Sequence, residues 1–144
     1  MAKSRPVSNA QRQFVAERAR WRCEYCQSPE LMAPQPFTME HIIPVVQDGP
    51  SEPENLAYAC QGCNGSKYDK TQAFDPITKQ EVPLFNPRTQ RWSEHFSWDK
   101  TSTLIIGLTP TGRATVIALK LNRKRLIALR ETLLTFGMHP PKND

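Results

Sequence analysis

The alternation of apolar and polar positions changes period several times along the chain, and each change predicts an element. Ser8-Asn-Ala-Gln11 has the form of a capping box, with Val7 ahead of it. Phe14, Val15, Ala19 and Trp21 follow at helical spacing, which predicts a first helix over 9–21. Pro29, Pro34 and Pro36 mark a loop. The stretches 37–43 and 56–59 read as short strands, the first stopped by Pro44. Asp48-Gly49-Pro50 and Pro53 punctuate the connection between them. A helix start follows at 64–70. Residues 75–99 are loop-like, with Phe85, Trp92, Phe96 and Trp98 as aromatic anchors. Residues 103–108 and 113–119 read as two strands of a hairpin, turning at Thr109-Pro-Thr-Gly112. Asn122 is placed to cap a last helix, with Leu126, Leu129, Leu133 and Phe136 in register and Gly137 and Pro140 to stop it. A loose tail is expected over 138–144.

Four cysteines punctuate this pattern as two pairs, Cys23-Glu-Tyr-Cys26 and Cys60-Gln-Gly-Cys63, with thirty-three residues between them. Cysteines three apart converge on one point from a tight turn, so two such knuckles present the four thiolates that a tetrahedral zinc prefers. Disulfides, a redox Cys-x-x-Cys and a single iron are the competing readings. A redox pair leaves the matched second pair unexplained. A site of four cysteines is coordinatively closed, so its zinc is expected to contribute folding energy rather than chemistry.

At 144 residues the chain fits one domain, 1–144, large enough for a modest core. Hydrophobic residues are 38% and charged residues 23%, and no apolar run approaches the roughly 18 residues of a spanning helix. No apolar stretch follows the charged N-terminus, so a cytoplasmic protein with no membrane association is expected. The net charge of +5 is uneven. Residues 1–30 carry six Lys/Arg against three Asp/Glu, residues 31–112 six against nine, and residues 113–144 seven against two. Basic ends around an acidic middle can hold a polyanion, or can be solvated helix faces. Arg123, Lys124 and Arg125 open the last helix, where cations oppose the helix dipole. That local conflict makes them candidates for nucleic-acid contact, and Lys67 reads either as a phosphate contact at the start of its helix or as a solvated lysine. The pair Trp92 and His95 is assigned to packing.

Between the knuckles lie Glu40-His41 and Asn55, and Asn64 follows Cys63 directly. Histidine suits proton removal from water near neutral pH, and a carboxylate and an amide oxygen suit Mg2+ or Mn2+. Taken together, Cys23-Glu-Tyr-Cys26, Met39-Glu-His-Ile-Ile-Pro44, Gly49, Glu54-Asn-Leu-Ala57 and Cys60-Gln-Gly-Cys63-Asn64 with Lys67 resemble the HNH endonucleases, over about 23–70. The resemblance implies a zinc-stapled ββα-metal core, and with the N-terminal helix before it and the hairpin and helix over about 100–137 after it, read from the pattern above, an α+β protein is expected. It implies His41 as general base and Asn55 as the residue holding the loop. Glu40 and Asn64 are the implied ligands of a catalytic Mg2+ or Mn2+, and Cys23, Cys26, Cys60 and Cys63 those of a structural zinc. The third position is Asn64 rather than His, and the acid is Glu40 where Asp is common. The expected activity is metal-dependent hydrolysis of phosphodiester bonds, with double-stranded DNA as partner. A zinc module that binds nucleic acid without cutting it, and a zinc domain that docks on protein, are the alternatives. Neighbours in a regular strand face opposite ways, so Glu40 and His41 can share one phosphate only at a strand end or beside a bulge.

Overall fold

The computed structural model describes residues 6–142. Helix α1 spans Asn9–Arg18, and its start is the expected capping box: Ser8 accepts from the Gln11 backbone while the Gln11 side chain accepts from the Ser8 backbone. It ends three residues short of the expected 21. Arg20 and Trp21 adopt φ of 57° and 58°, outside helical space, so the chain turns toward the first knuckle. Val15 and Ala16 form the buried stripe of α1, whereas Phe14 and Trp21, expected inside, are 52% and 44% exposed.

Strands β1 (Thr38–His41) and β2 (Leu56–Ala59) pair antiparallel in unbroken register, Glu40 opposite Ala57 and His41 opposite Leu56. All four β2 residues are buried, which suits its apolar composition. Helix α2 (Gln61–Lys67) begins three residues earlier than expected, because Cys60 caps it: its sulfur accepts from the Cys63 backbone.

The second half departs from the sequence expectations. The stretch expected to be loop contains a hairpin, β3 (Gln72–Asp75) with β4 (Gln80–Pro83), then a short helix α3 (Trp92–His95) and strand β5 (Phe96–Trp98). Strand β6 (Ile105–Gly107) pairs with β5, not with 113–119. Residues of the supposed partner strand belong instead to helix α4 (Pro110–Ala118). The local reason is a helix start: the Thr109 side chain accepts from Gly112, and Pro110 stands in the first turn, where its missing N–H costs nothing. A close approach seals the arrangement. A Cβ on Gly107 would stand 2.5 Å from the Arg113 backbone nitrogen, and one on Gly112 would stand 2.1 Å from the His95 carbonyl oxygen.

Helix α5 (Lys124–Thr135) takes Arg123, not Asn122, as its cap residue. Asn122 serves β6 instead, accepting from the Ile105 N–H at 2.7 Å and donating to the Ile105 carbonyl at 2.9 Å. Leu126 and Leu133 of α5 are buried, while Phe136 is 70% exposed. Gly137 ends the helix at φ 68°. The tail expected to be loose is tied down through His139, whose Nε2 meets the Ser102 carbonyl at 2.7 Å and whose ring packs on Trp98. Residues 143–144 of that tail lie outside the described ones. A buried cluster runs from Val15 on α1 through Tyr25, Leu56, Phe85 and Phe96 to Leu126 on α5. The aromatic anchors meet there as expected: Phe96 packs on Phe85 and Trp92, and Trp92 also packs on Trp98. Among the described residues no helix is long and apolar enough to cross a membrane.

Candidate functional site

The two knuckles converge. The Sγ atoms of Cys23, Cys26, Cys60 and Cys63 all lie within 4.8 Å of one another, and those of Cys26 and Cys60 are 3.7 Å apart. Four sulfurs at about 2.3 Å from a tetrahedral zinc would stand about 3.8 Å from each other, so the set fits that ion. All four thiols are free and buried, which sets the disulfide reading aside. Within each knuckle a backbone N–H turns onto the first sulfur, Cys26 onto Cys23 and Cys63 onto Cys60. Burial pushes the Cys23 thiol far up, while hydrogen bonds from the neighbouring thiols, Cys23 first, hold Cys60 far down. Such a cluster holds negative charge out of water and calls for a cation.

Part of that positive charge comes from the far end of the chain. Arg123 reaches the cluster with its guanidinium nitrogens, 3.5 Å from Cys60 Sγ and 3.8 Å from Cys63 Sγ. A Cβ on Gly62 would stand 2.4 Å from that guanidinium, so the glycine leaves open the space in which it sits. Of the three basic residues expected to contact nucleic acid from α5, Arg123 is thus turned to the sulfurs, and Lys124 and Arg125 remain exposed.

The other expected residues gather at the end of β1. His41 is its last residue, half-buried, and its Nε2 lies 2.9 Å from the hydroxyl of the buried Ser51. Burial and then the nearby Lys67 charge lower its pKa below the ordinary histidine value. Asn55 is buried and saturated: it accepts from Ile43 N–H at 2.8 Å and donates to the carbonyls of Ile43 and Pro50 at 3.0 and 2.8 Å. These bonds close the loop from 43 to 55. Gly49 is packed inside it, since a Cβ there would stand 1.7 Å from the Ile43 carbonyl oxygen.

Glu40 precedes His41 in an unbroken ladder, so the two side chains leave opposite faces. Its carboxylate is 2% exposed and engaged on both oxygens, by Tyr25 Oη at 2.6 Å and Lys67 Nζ at 2.7 Å. Burial pushes its pKa above the usual carboxylate value, against the pull of Lys67. Lys67 also reaches the backbone carbonyl of Ile42 at 3.2 Å. It is therefore neither a solvated lysine nor an open phosphate contact, the two roles weighed for it. Its ammonium occupies the place that a cation on Glu40 would take. Asn64 is half-buried on α2, and among the described residues no side-chain hydrogen bond engages its amide. Tyr25 and Ser51 were missed by sequence reasoning. Tyr25 reads only as filler inside a Cys-x-x-Cys, and Ser51 as a loop residue.

A family model described as HNH endonuclease matches residues 23–70, one third of the chain. No curated protein and no solved structure matches it. The match covers both knuckles, β1, β2 and α2, and it points to a nuclease-like role connected with nucleic acid.

Proposed function

We propose that this protein, whose residues 23–70 match the HNH endonuclease family, hydrolyses phosphodiester bonds in DNA, with a structural zinc on its four cysteines. The observation that supports cleavage is His41, held at the end of β1 by Ser51 and kept unprotonated near neutral pH by burial and by Lys67. With Nε2–H donating to the Ser51 hydroxyl, Nδ1 carries the lone pair that takes a proton from water. The hydroxide attacks phosphorus, a new P–O bond forms, the bond to the leaving 3′ oxygen breaks, the departing alkoxide takes a proton from solvent water, and His41 returns its proton to solvent. Asn55 keeps the 43–55 loop closed around this geometry.

Asn64, with Glu40, is the expected oxygen-ligand pair for Mg2+ or Mn2+, but Glu40 leaves the face of β1 opposite to His41, so as the residues stand an ion on it would not lie beside the base. When bound, such an ion neutralises charge on the phosphate and the leaving oxygen. With Lys67 in place, Glu40 is already matched, so loading it requires the ammonium to withdraw. That pairing also favours a second reading, a zinc module that binds nucleic acid without cutting.

The test is conversion of supercoiled plasmid by zinc-loaded protein without further metal, with Mg2+ and with Mn2+, beside His41→Ala. Metal-dependent nicking that His41→Ala abolishes, at unchanged zinc content, supports cleavage. Equal behaviour of the two proteins refutes His41 as base. Gel shift without nicking selects the second reading.

A further inference from the structure

A group of positive charges lies apart from both α5 and His41. Arg18, Arg20, Arg22, Arg91 and Lys142 line one cleft of about 560 Å³, walled by Phe85 and Trp92. One acid, Glu24, lines it too, but its carboxylate is ion-paired with Arg88 and accepts from the Tyr58 backbone at 2.9 Å. The cations of the cleft are not so matched. Arg18 and Arg22 donate to backbone carbonyls, those of Pro53, Leu56 and Gln27, which fix the guanidinium groups without cancelling their charge. Arg20, Arg91 and Lys142 are exposed and enter no ion pair among the described residues.

Two further observations bear on what fills it. Arg20 and Trp21 make a left-handed turn, at φ of 57° and 58°. That turn brings Arg20 and Arg22 into the same cleft as Arg18. In addition, Phe85 and Gln90 form a shared wall with a second hollow lined by Ile42, Ile43 and Lys67, the residues directly after His41 and the partner of Glu40. Charge spaced along a groove suits a polymer of phosphates better than one small anion.

We propose that this arginine cleft holds the phosphate backbone of a nucleic acid and leads it toward the end of β1. The nature of the ligand rests on the nuclease-related reading above; the place does not. Binding is read by fluorescence anisotropy of a labelled 20-base-pair duplex on zinc-loaded His41→Ala protein, so that no cleavage intervenes. Arg20→Glu/Arg91→Glu is compared with Lys79→Glu/Lys100→Glu, which makes the same change in net charge elsewhere. Two lost phosphate contacts lower the salt slope by about two and weaken binding at 0.1 M salt about 60-fold, while the control pair stays within about threefold of the parent. Equal loss in both pairs, or none in the first, overturns the cleft. So does a loss confined to Lys124→Glu/Arg125→Glu, which would place the backbone on α5, and so does a parent that binds no duplex at all. Because Arg20 and Arg91 are exposed, the variants should keep zinc content and unfolding midpoint, and Lys142→Glu gives an independent single reading. A protein that nicks plasmid but ignores the cleft variants keeps the nuclease reading and loses this one. A protein that binds through the cleft but never nicks does the reverse.

Discussion

Replacing Lys67 by Met should be among the most damaging single changes outside the cysteines. Nζ stands 2.7 Å from Glu40 Oε2, and each side chain is 2% exposed. At an effective dielectric near 20 the attraction at that distance is about 6 kcal/mol. Withdrawing two ions from water costs several kcal/mol each, so the intact pair contributes little net stability. Removing one partner is a different matter. The carboxylate then keeps Tyr25 alone as its side-chain donor among the described residues, and the Ile42 carbonyl loses its ammonium. The expected cost at pH 7 is about 3–5 kcal/mol. Glu40 can escape by taking a proton, which its raised pKa already favours. Without the pull of Lys67 that pKa moves further up, so the penalty is full above the variant's raised value and fades as pH falls through it toward the ordinary glutamate value of 4.5. Urea unfolding of zinc-loaded protein at neutral and mildly acidic pH, followed by tryptophan fluorescence, measures both. The cycle is completed by Glu40→Gln and by the double variant, which should cost less than the sum of the singles by more than about 1 kcal/mol. Additivity within about 0.5 kcal/mol, or a Lys67→Met cost under about 1 kcal/mol, refutes the buried pair.

Asn55→Ala strands the Ile43 N–H and two carbonyls, so it should cost about 3 kcal/mol in urea unfolding and open the 43–55 loop to limited proteolysis. Arg123→Gln removes a full charge from beside Cys60 and Cys63; zinc transfer to a colorimetric chelator should be about tenfold more favourable, with Arg123→Lys between. Asp75 is gripped by Arg113 at 2.9 and 3.0 Å, and this fork holds its carboxyl well below the usual range. Its stabilisation is present above the unfolded value of 3.8 and is lost as pH falls through the depressed folded one. Asp75→Asn should therefore lower the thermal midpoint at pH 7, and the gap to wild type should close as the solution is acidified below pH 3.

What was legible in the sequence is what lies in short stretches of chain. The capping box at Ser8, the β2 strand over 56–59 and the two Cys-x-x-Cys knuckles depend on neighbours within four residues, and they stand where their spacing put them. The spacing of Glu40, His41, Asn55 and Asn64 marked the region that the family model matches. The conflict foreseen between Glu40 and His41 is real: an unbroken ladder sends them to opposite faces.

Tertiary structure decided the rest, because apolar runs of five or six residues satisfy either period. The run at 113–119 is rich in residues that suit a strand, yet it is largely helix α4, for its start is capped and its Gly112 must pass the His95 carbonyl. Strand β6 took a partner upstream, separated from it by the six residues 99–104, rather than downstream. Lys67 reads as a surface lysine until β1 brings a buried carboxylate within 2.7 Å of it. Arg123 reads as a contact for nucleic acid until the last helix lands on the sulfurs. The Arg cleft draws on residues 18–22, 91 and 142, and no spacing along the chain could have assembled it. Local sequence specifies caps, turns and metal knuckles because their atoms are covalently close. Which charges meet depends on contacts formed only once the core has closed.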